Sequence, residues 1–396
     1  MHKQDLEAQF LSLYSHPATH RFSAPGRTEI GGNHTDHQHG VVLAASIDRM
    51  ATALAAPNGT RTLTLHSVGF APCSVSLDAL TIDPSEYNTT QALLRGVAAG
   101  VAAQGGTPFG LDLLVQSDVA CGSGLSSSAA LEVLLGAVFS ALWQGAVLSP
   151  VDLARIGQTA ENRFFGKPCG LMDQLACAEG NLSYLDFADP EHPLVERLDV
   201  DFAAYRHTLC IVDTGADHAD LTDAYAAIPK ELASVCAFFG KAVLREVDES
   251  LFYGQLPALR KAVGDRAVLR AMHVYEENRR VRVMRAALLR GDFSAFLTAV
   301  RDSGRSSWTL LQNVTPPAAI LCQPVAYALH VAEHLLDGRG AVRVHGGGFA
   351  GTILCIVPND LLPTFAQGID RLIAPKACSV LSVVPYGARA LPLEAR

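Results

Sequence analysis

Residues 122 to 130 read Gly-Ser-Gly-Leu-Ser-Ser-Ser-Ala-Ala and open directly onto an apolar run, Leu131 to Trp143, interrupted only by Glu132, Gly136 and Ser140. This is the chemistry of an anion cradle. Glycines let the main chain approach a phosphate closely, N–H groups at a helix start point outward with the positive end of the dipole, and the hydroxyls add donors or a magnesium ligand. Gly/Ser stretches also serve as flexible linkers, but a linker is longer and flanked by polar sequence, whereas this run lies between two apolar segments. Neither common phosphate fingerprint is present: there is no Gly-x-x-x-x-Gly-Lys-Ser/Thr, and Ser127 stands where the third glycine of Gly-x-Gly-x-x-Gly belongs. The loop therefore points to nucleotide binding in another architecture.

Four further segments place polar residues where a pure core would not want them. In Gly26 to Gly40, Asp36 accepts two hydrogen bonds while Asn33 and His34 can donate and accept, a combination suited to sugar hydroxyls. The same segment holds His37 and His39, so ligation of zinc or iron is an alternative, although so short a run cannot converge on one ion. In the second segment Asp173 follows Leu171 and Met172, and apolar surroundings often mark a catalytic acid. Glu161 shares a helical face with Leu153, Gly157 and Phe164, so its inward carboxylate needs a magnesium ion or a core arginine. The third, Gly346-Gly-Gly-Phe-Ala-Gly351, is a ligand loop or a glycine-rich hairpin. The fourth runs from Asp213 through Asp217 and His218 into a helix bearing Tyr225.

The elements that must position these residues follow from periodicity. Strands are expected at Val41 to Ile47, Met50 to Ala56, Arg61 to Val68 and Leu111 to Gln116, with a helix over Thr90 to Ala103. Ser149-Pro150 announces a helix reaching about Phe165. Strands follow at Leu182 to Phe187 and Thr208 to Val212, with the proline-broken stretch Asp189 to Pro193 as the boundary between domains. Beyond Asp220 the chain reads as mostly helical to about Leu336, with strands at Val342 to His345 and Thr352 to Val357.

The 396 residues exceed what one core usually supports, which predicts two α+β domains with a cleft between them. A hydrophobic content of 49% with 18% charged residues describes a packed globular protein. The net charge of -8, without a Lys/Arg stripe, argues against nucleic acid or an anionic membrane as partner. The nine scattered cysteines are those of a reducing cytoplasm, and no signal peptide or membrane span is expected.

In this order the segments resemble the motifs of the GHMP small-molecule kinases, and within them the galactokinase branch. The family pattern Pro-x-Gly-Gly-Gly-Leu-Ser-Ser-Ser-Ala is similar to Cys121 to Ala129, the glycine-rich third motif to Gly346 to Gly351, the galactokinase signature to Gly26 to His37, and Cys-Gly-x-Met-Asp-Gln to Cys169 to Gln174. The resemblance spans roughly residues 20 to 357. It implies an α+β, two-domain GHMP kinase fold, with a ribosomal protein S5 domain 2-like N-terminal domain at 1–195 and a ferredoxin-like C-terminal domain at 196–396. It also implies transfer of the ATP γ-phosphate to the anomeric hydroxyl of D-galactose in the cytoplasm, by a monomer or weak homo-oligomer. Asp173 and Arg27 would be the catalytic pair. Gly122, Ser123, Gly124, Leu125, Ser126, Ser127 and Ser128 would hold ATP, and Ser128 and Glu161 would hold Mg2+. Asn33, His34, Asp36, Gly170 and Tyr225 would hold the sugar. Three signature positions depart from the pattern: Asn33 replaces a glutamate, Glu29 an asparagine and His37 a tyrosine. They keep kinases for N-acetylgalactosamine or arabinose, and a non-catalytic sugar sensor, as alternatives, alongside a His-cluster metallohydrolase.

Overall fold

The computed structural model describes residues 6–120, 122, 124–145, 147–216 and 221–393. The two short apolar runs expected at 41–47 and 50–56 are one strand, Val41–Pro57, and it is the pivot of an eight-stranded sheet. On one side it pairs along its length with His20–Gly31; on the other its first part meets Leu182–Asp186 and its second part Leu111–Ser117. The strand Thr62–Ser67 pairs parallel with Leu111–Ser117, a pairing that needs a crossover, and the helix Thr90–Ala103 supplies it.

The segment read only as a ligand signature is itself a strand, His20–Gly31, buried from Phe22 onward. Two register shifts, at Pro25/Gly26 and at Glu29/Gly31, bracket Arg27. Such irregularities re-aim side chains, and the polar residues they serve are what disguised the strand's alternation.

The helices Ser127–Leu142 and Met172–Glu179 pack against this sheet, and Pro150–Thr159 packs on both of them. Pro150–Thr159 begins with the expected capping box, Ser149 and Asp152 exchanging hydrogen bonds behind Pro150. It continues as a wide π turn, Ala160–Phe165, ended by Gly166 at φ 85°.

A four-stranded antiparallel sheet, in the order Cys378–Leu381, His207–Ala216, Gly351–Pro358, Ala341–Val344, forms the second layer, covered by the helices Pro324–Leu336 and Leu362–Leu372. The helices Asp265–Leu289 and Phe293–Ser306 pack against both parts of the chain. The stretch Asp189 to Pro193 is a hairpin connection, because Leu194–Leu198 pairs back onto Leu182–Asp186. Proline stops a strand equally in a turn and in a linker, so the sequence signal was the same. The first sheet therefore extends to Leu198 and also takes in Arg389–Leu391, which pairs with His20–Gly31. Among the described residues no helix is long and apolar enough to cross a membrane.

Candidate active site

The site is assembled where the buried strand His20–Gly31 passes the N-terminus of the helix Ser127–Leu142. Gly122 and Gly124 take φ values of 75° and 71°, and Ser126 at φ 59° leads into the helix. That left-handed backbone lets the chain turn sharply and aim the first helical N–H groups outward. Arg27 is tied to this turn twice: its N–H donates to the Leu125 carbonyl at 3.1 Å and its guanidinium to the Gly124 carbonyl. Close approach is enforced by Gly26, where a Cβ would lie 2.9 Å from the Leu125 oxygen.

Arg27, buried, grips Asp173 through Nε and Nη2, 2.8 and 2.7 Å from Oδ1. The other carboxylate oxygen accepts from the Ser126 hydroxyl. Burial pushes the Asp173 carboxyl up, but the Arg27 cation and the two hydrogen-bond donors outweigh it and hold the group below the ordinary carboxylate range. The side chain remains 31% exposed, so the clamped carboxylate is not sealed inside the protein.

Next to it lies the sugar signature. A Cβ on Gly170 would stand 1.7 Å from Oδ2 of Asp36, so only glycine lets the two segments meet. Burial, helped by the neighbouring Asp173 charge, raises the Asp36 carboxyl. Two adjacent acids are thus pushed in opposite directions. His34, at φ 59°, bonds the Gly347 carbonyl through Nε2 and His37 through Nδ1, each at 3.2 Å. Burial holds both rings neutral, His34 at about 3 and His37 at about 4.

Glu161 is delivered inward by the π turn. Its Oε1 accepts from Ser128 Oγ at 3.2 Å and from Lys167 Nζ at 2.9 Å. The Gln174 amide nitrogen donates to both Glu161 and the fully buried Glu132, at 2.9 Å each.

Two family models match the chain: the GHMP kinases N terminal domain over residues 92–181, and the galactokinase galactose-binding signature over residues 8–57. The chain thus carries a GHMP kinase N-terminal domain and the galactose-binding signature of galactokinases. Three solved structures share its fold. Lactococcus lactis galactokinase, solved with galactose, is 23% identical, covers 98% of this chain and 99% of its own, and superposes with a TM-score of 0.82. Methanococcus jannaschii mevalonate kinase is 12% identical over 92% of this chain and 99% of its own, at 0.65. Streptococcus pneumoniae phosphomevalonate kinase, solved with phosphomevalonate and AMPPNP, is 12% identical over 94% of this chain and 100% of its own, at 0.61.

In this chain the residues expected to act together are brought together at three points: Arg27 with Asp173, Ser128 with Glu161, and Asp36 with Gly170. Ser123 lies outside the described residues, as do Cys121, Asp217 and His218. A divalent cation fits at Ser128 and Glu161. Glu132 and Glu161 share one amide, and among the described residues Oε1 of Glu132 has no partner and Lys167, on Glu161, is the one cation bonded to either. No group of three or more His, Cys, Asp or Glu disposed to hold a metal occurs among the described residues, which removes the support for the zinc or iron reading of the histidine run.

Two of the residues expected at the sugar make polar contacts within the protein. Asn33 is 1% exposed and turned inward: its amide donates to the Gly346 carbonyl at 2.6 Å and to Glu29, and its oxygen accepts from Asn313 at 2.8 Å. The amide is spent on the protein and is not offered to a hydroxyl. Tyr225 gives its hydroxyl to the Gly348 carbonyl at 2.7 Å, so its described contact is with the glycine loop.

Sequence reasoning passed over Lys167, Gln174, Glu132, Ser126 as a partner of Asp173, and the buried pair Glu29 and Arg343, joined at 2.7 Å. Glu132 had a signal: it is the one charge in an apolar helix. Arg343 had none, because its partner lies 314 residues away.

Proposed function

We propose that this chain transfers the γ-phosphate of ATP to the anomeric hydroxyl of D-galactose, giving galactose 1-phosphate and ADP. One observation carries the reading: an ionised carboxylate, Asp173, clamped by Arg27 and Ser126 at the mouth of a phosphate-type helix N-terminus, beside the galactose-binding signature. The galactose in the Lactococcus lactis relative and the AMPPNP in the Streptococcus pneumoniae one support the two substrates.

Phosphoryl transfer is mostly positioning and neutralisation of charge. The turn at 122–128 and the helix start behind it receive the triphosphate. Asp36, with Gly170 packed against it, orients the sugar ring so that one hydroxyl lies in line with the γ-phosphorus. Because Asp173 is held below the ordinary range, it does not strip the hydroxyl before attack; it fixes the hydroxyl by a hydrogen bond and takes its proton as the new O–P bond forms. Arg27, always cationic, spreads positive charge over the site and stabilises the moving phosphoryl oxygens. Ser128 and Glu161 would hold magnesium, which neutralises phosphate charge when bound.

The test is purified protein with ATP and magnesium against a panel of hexoses, N-acetylgalactosamine and arabinose, the phosphorylated carbon being read by phosphorus NMR. Galactose 1-phosphate as the fastest product is expected. Phosphorylation at another carbon, or sugar binding without turnover, would sink the proposal.

A further inference from the structure

His345 belongs to none of the roles above, yet it stands where the strand bearing Arg27, the phosphate turn and the glycine loop meet. The strand His20–Gly31 pairs with Arg389–Leu391 over residues 21–23, and beyond Ser23 no strand among the described residues pairs with that edge. A buried edge N–H must find another acceptor. The Glu29 N–H finds Nε2 of His345 at 3.2 Å, and the Thr28 hydroxyl lies 3.0 Å from the same nitrogen. Since Nε2 accepts from a backbone N–H, the ring proton resides on Nδ1 and is donated to Thr352 Oγ1 at 3.0 Å. That tautomer is assigned by the hydrogen-bond network. Nδ1 also backs the phosphate turn: a Cβ on Gly124 would lie 2.9 Å from it. The ring is 2% exposed, and burial keeps it neutral.

On the other side of His345 the glycine loop is gripped by the sugar signature and its neighbours. Three successive carbonyls are taken: Gly346 by Asn33, Gly347 by His34 and Asn313, and Gly348 by Tyr225. The loop is therefore a strap between the sugar half and the nucleotide half of the site, and His345 is its fastening to the strand carrying Arg27.

We propose that His345 is a positioning residue for phosphoryl transfer: its neutral ring, accepting from Glu29 and Thr28 and donating to Thr352, fixes Arg27 between the phosphate turn and Asp173. The proposal rests on the kinase reading given above. Misplacing a catalytic group by about 1 Å costs on the order of a hundredfold in rate.

The experiment measures kcat, both KM values and Arg27 dependence. His345→Leu is expected to lower kcat about tenfold or more while the KM for the sugar moves less than about threefold. His345→Gln, whose carbonyl can accept from the Glu29 N–H, should recover most of that loss. In an Arg27→Lys background His345→Leu should add less than about threefold, because residues acting as one unit are non-additive. Should the leucine variant fail to fold, Thr352→Val removes the acceptor of the Nδ1 proton and should lower kcat in the same direction. An unchanged kcat, a change confined to KM, a glutamine variant no better than leucine, or full additivity with Arg27→Lys would each overturn the assignment. A wild-type protein without turnover would instead overturn the kinase reading.

Discussion

At the scale of single residues, the site separates groups that look alike in sequence. Asp36 and Asp173 are both aspartates of the expected site, yet burial raises one while Arg27 and Ser126 hold the other low. The low one is held in its ionised form and can serve as a constant acceptor. Asp173→Ala is expected to abolish turnover, by a factor of about a thousand or more, while nucleotide binding persists; initial rates and calorimetric titration with an ATP analogue check both halves. A variant retaining a tenth of the rate would remove Asp173 from the chemistry. His37 gives a pH prediction. Burial depresses its pKa from 6.5 to about 4, so the unfolded chain takes up the proton more readily than the folded one. The stability tied to the neutral ring is complete above pH ~6.5 and declines as pH falls toward about 4. Urea denaturation between pH 7 and pH 4.5 should therefore show a shallower acid loss for His37→Gln than for wild type; parallel curves would show that the ring is not held neutral.

At the scale of elements, the phosphate turn works because its backbone enters the left-handed region at Gly122 and Gly124. Gly124→Ala would strain that backbone and press a methyl group against Nδ1 of His345 and Oγ1 of Thr352, 2.9 and 3.1 Å from the ideal Cβ. The expected result is a KM for ATP raised about tenfold or more with the fold retained, read by steady-state kinetics and thermal melting; an unchanged KM would mean that the turn does not touch the nucleotide. The elements themselves were largely legible. The helix Thr90–Ala103, the cradle helix and the Ser149 cap stand where periodicity and capping placed them. The strand His20–Gly31 was not, because bulges and buried polar residues such as Arg27, Thr28 and Glu29 break the alternation that marks a strand.

At the scale of the whole molecule, the two parts of the chain are locked by buried polar contacts under the site. Arg343, fully buried, reaches Glu29 at 2.7 Å, and Asn33 links Glu29, Gly346 and Asn313. Glu29→Ala strands the Arg343 cation and should cost about 3–5 kcal/mol, measured by urea denaturation; a loss below about 1 kcal/mol would show that the pair contributes little. Asn33→Glu would set a second carboxylate 3.2 to 3.4 Å from Glu29, where the amide now donates. It is expected to destabilise by about 2 kcal/mol or more, the scale of an unpaired buried charge. A stable variant with sharpened sugar selectivity would show instead that position 33 faces the sugar.

The sequence by itself determined the class of chemistry. Local spacing marks the phosphate turn, the capped helix and the Cys169 to Gln174 block, because turn geometry and helix ends depend on neighbouring residues. Only the tertiary structure decided which polar side chains bond to which. Asn33 and Tyr225 look like ligands until their partners appear, and Ser126, Lys167 and His345 look ordinary until theirs do. Many of these partners are far away in sequence, as Arg27 lies 146 from Asp173 and Thr28 lies 317 from His345. A hydrogen-bonding group declares its use only when burial fixes what it can reach.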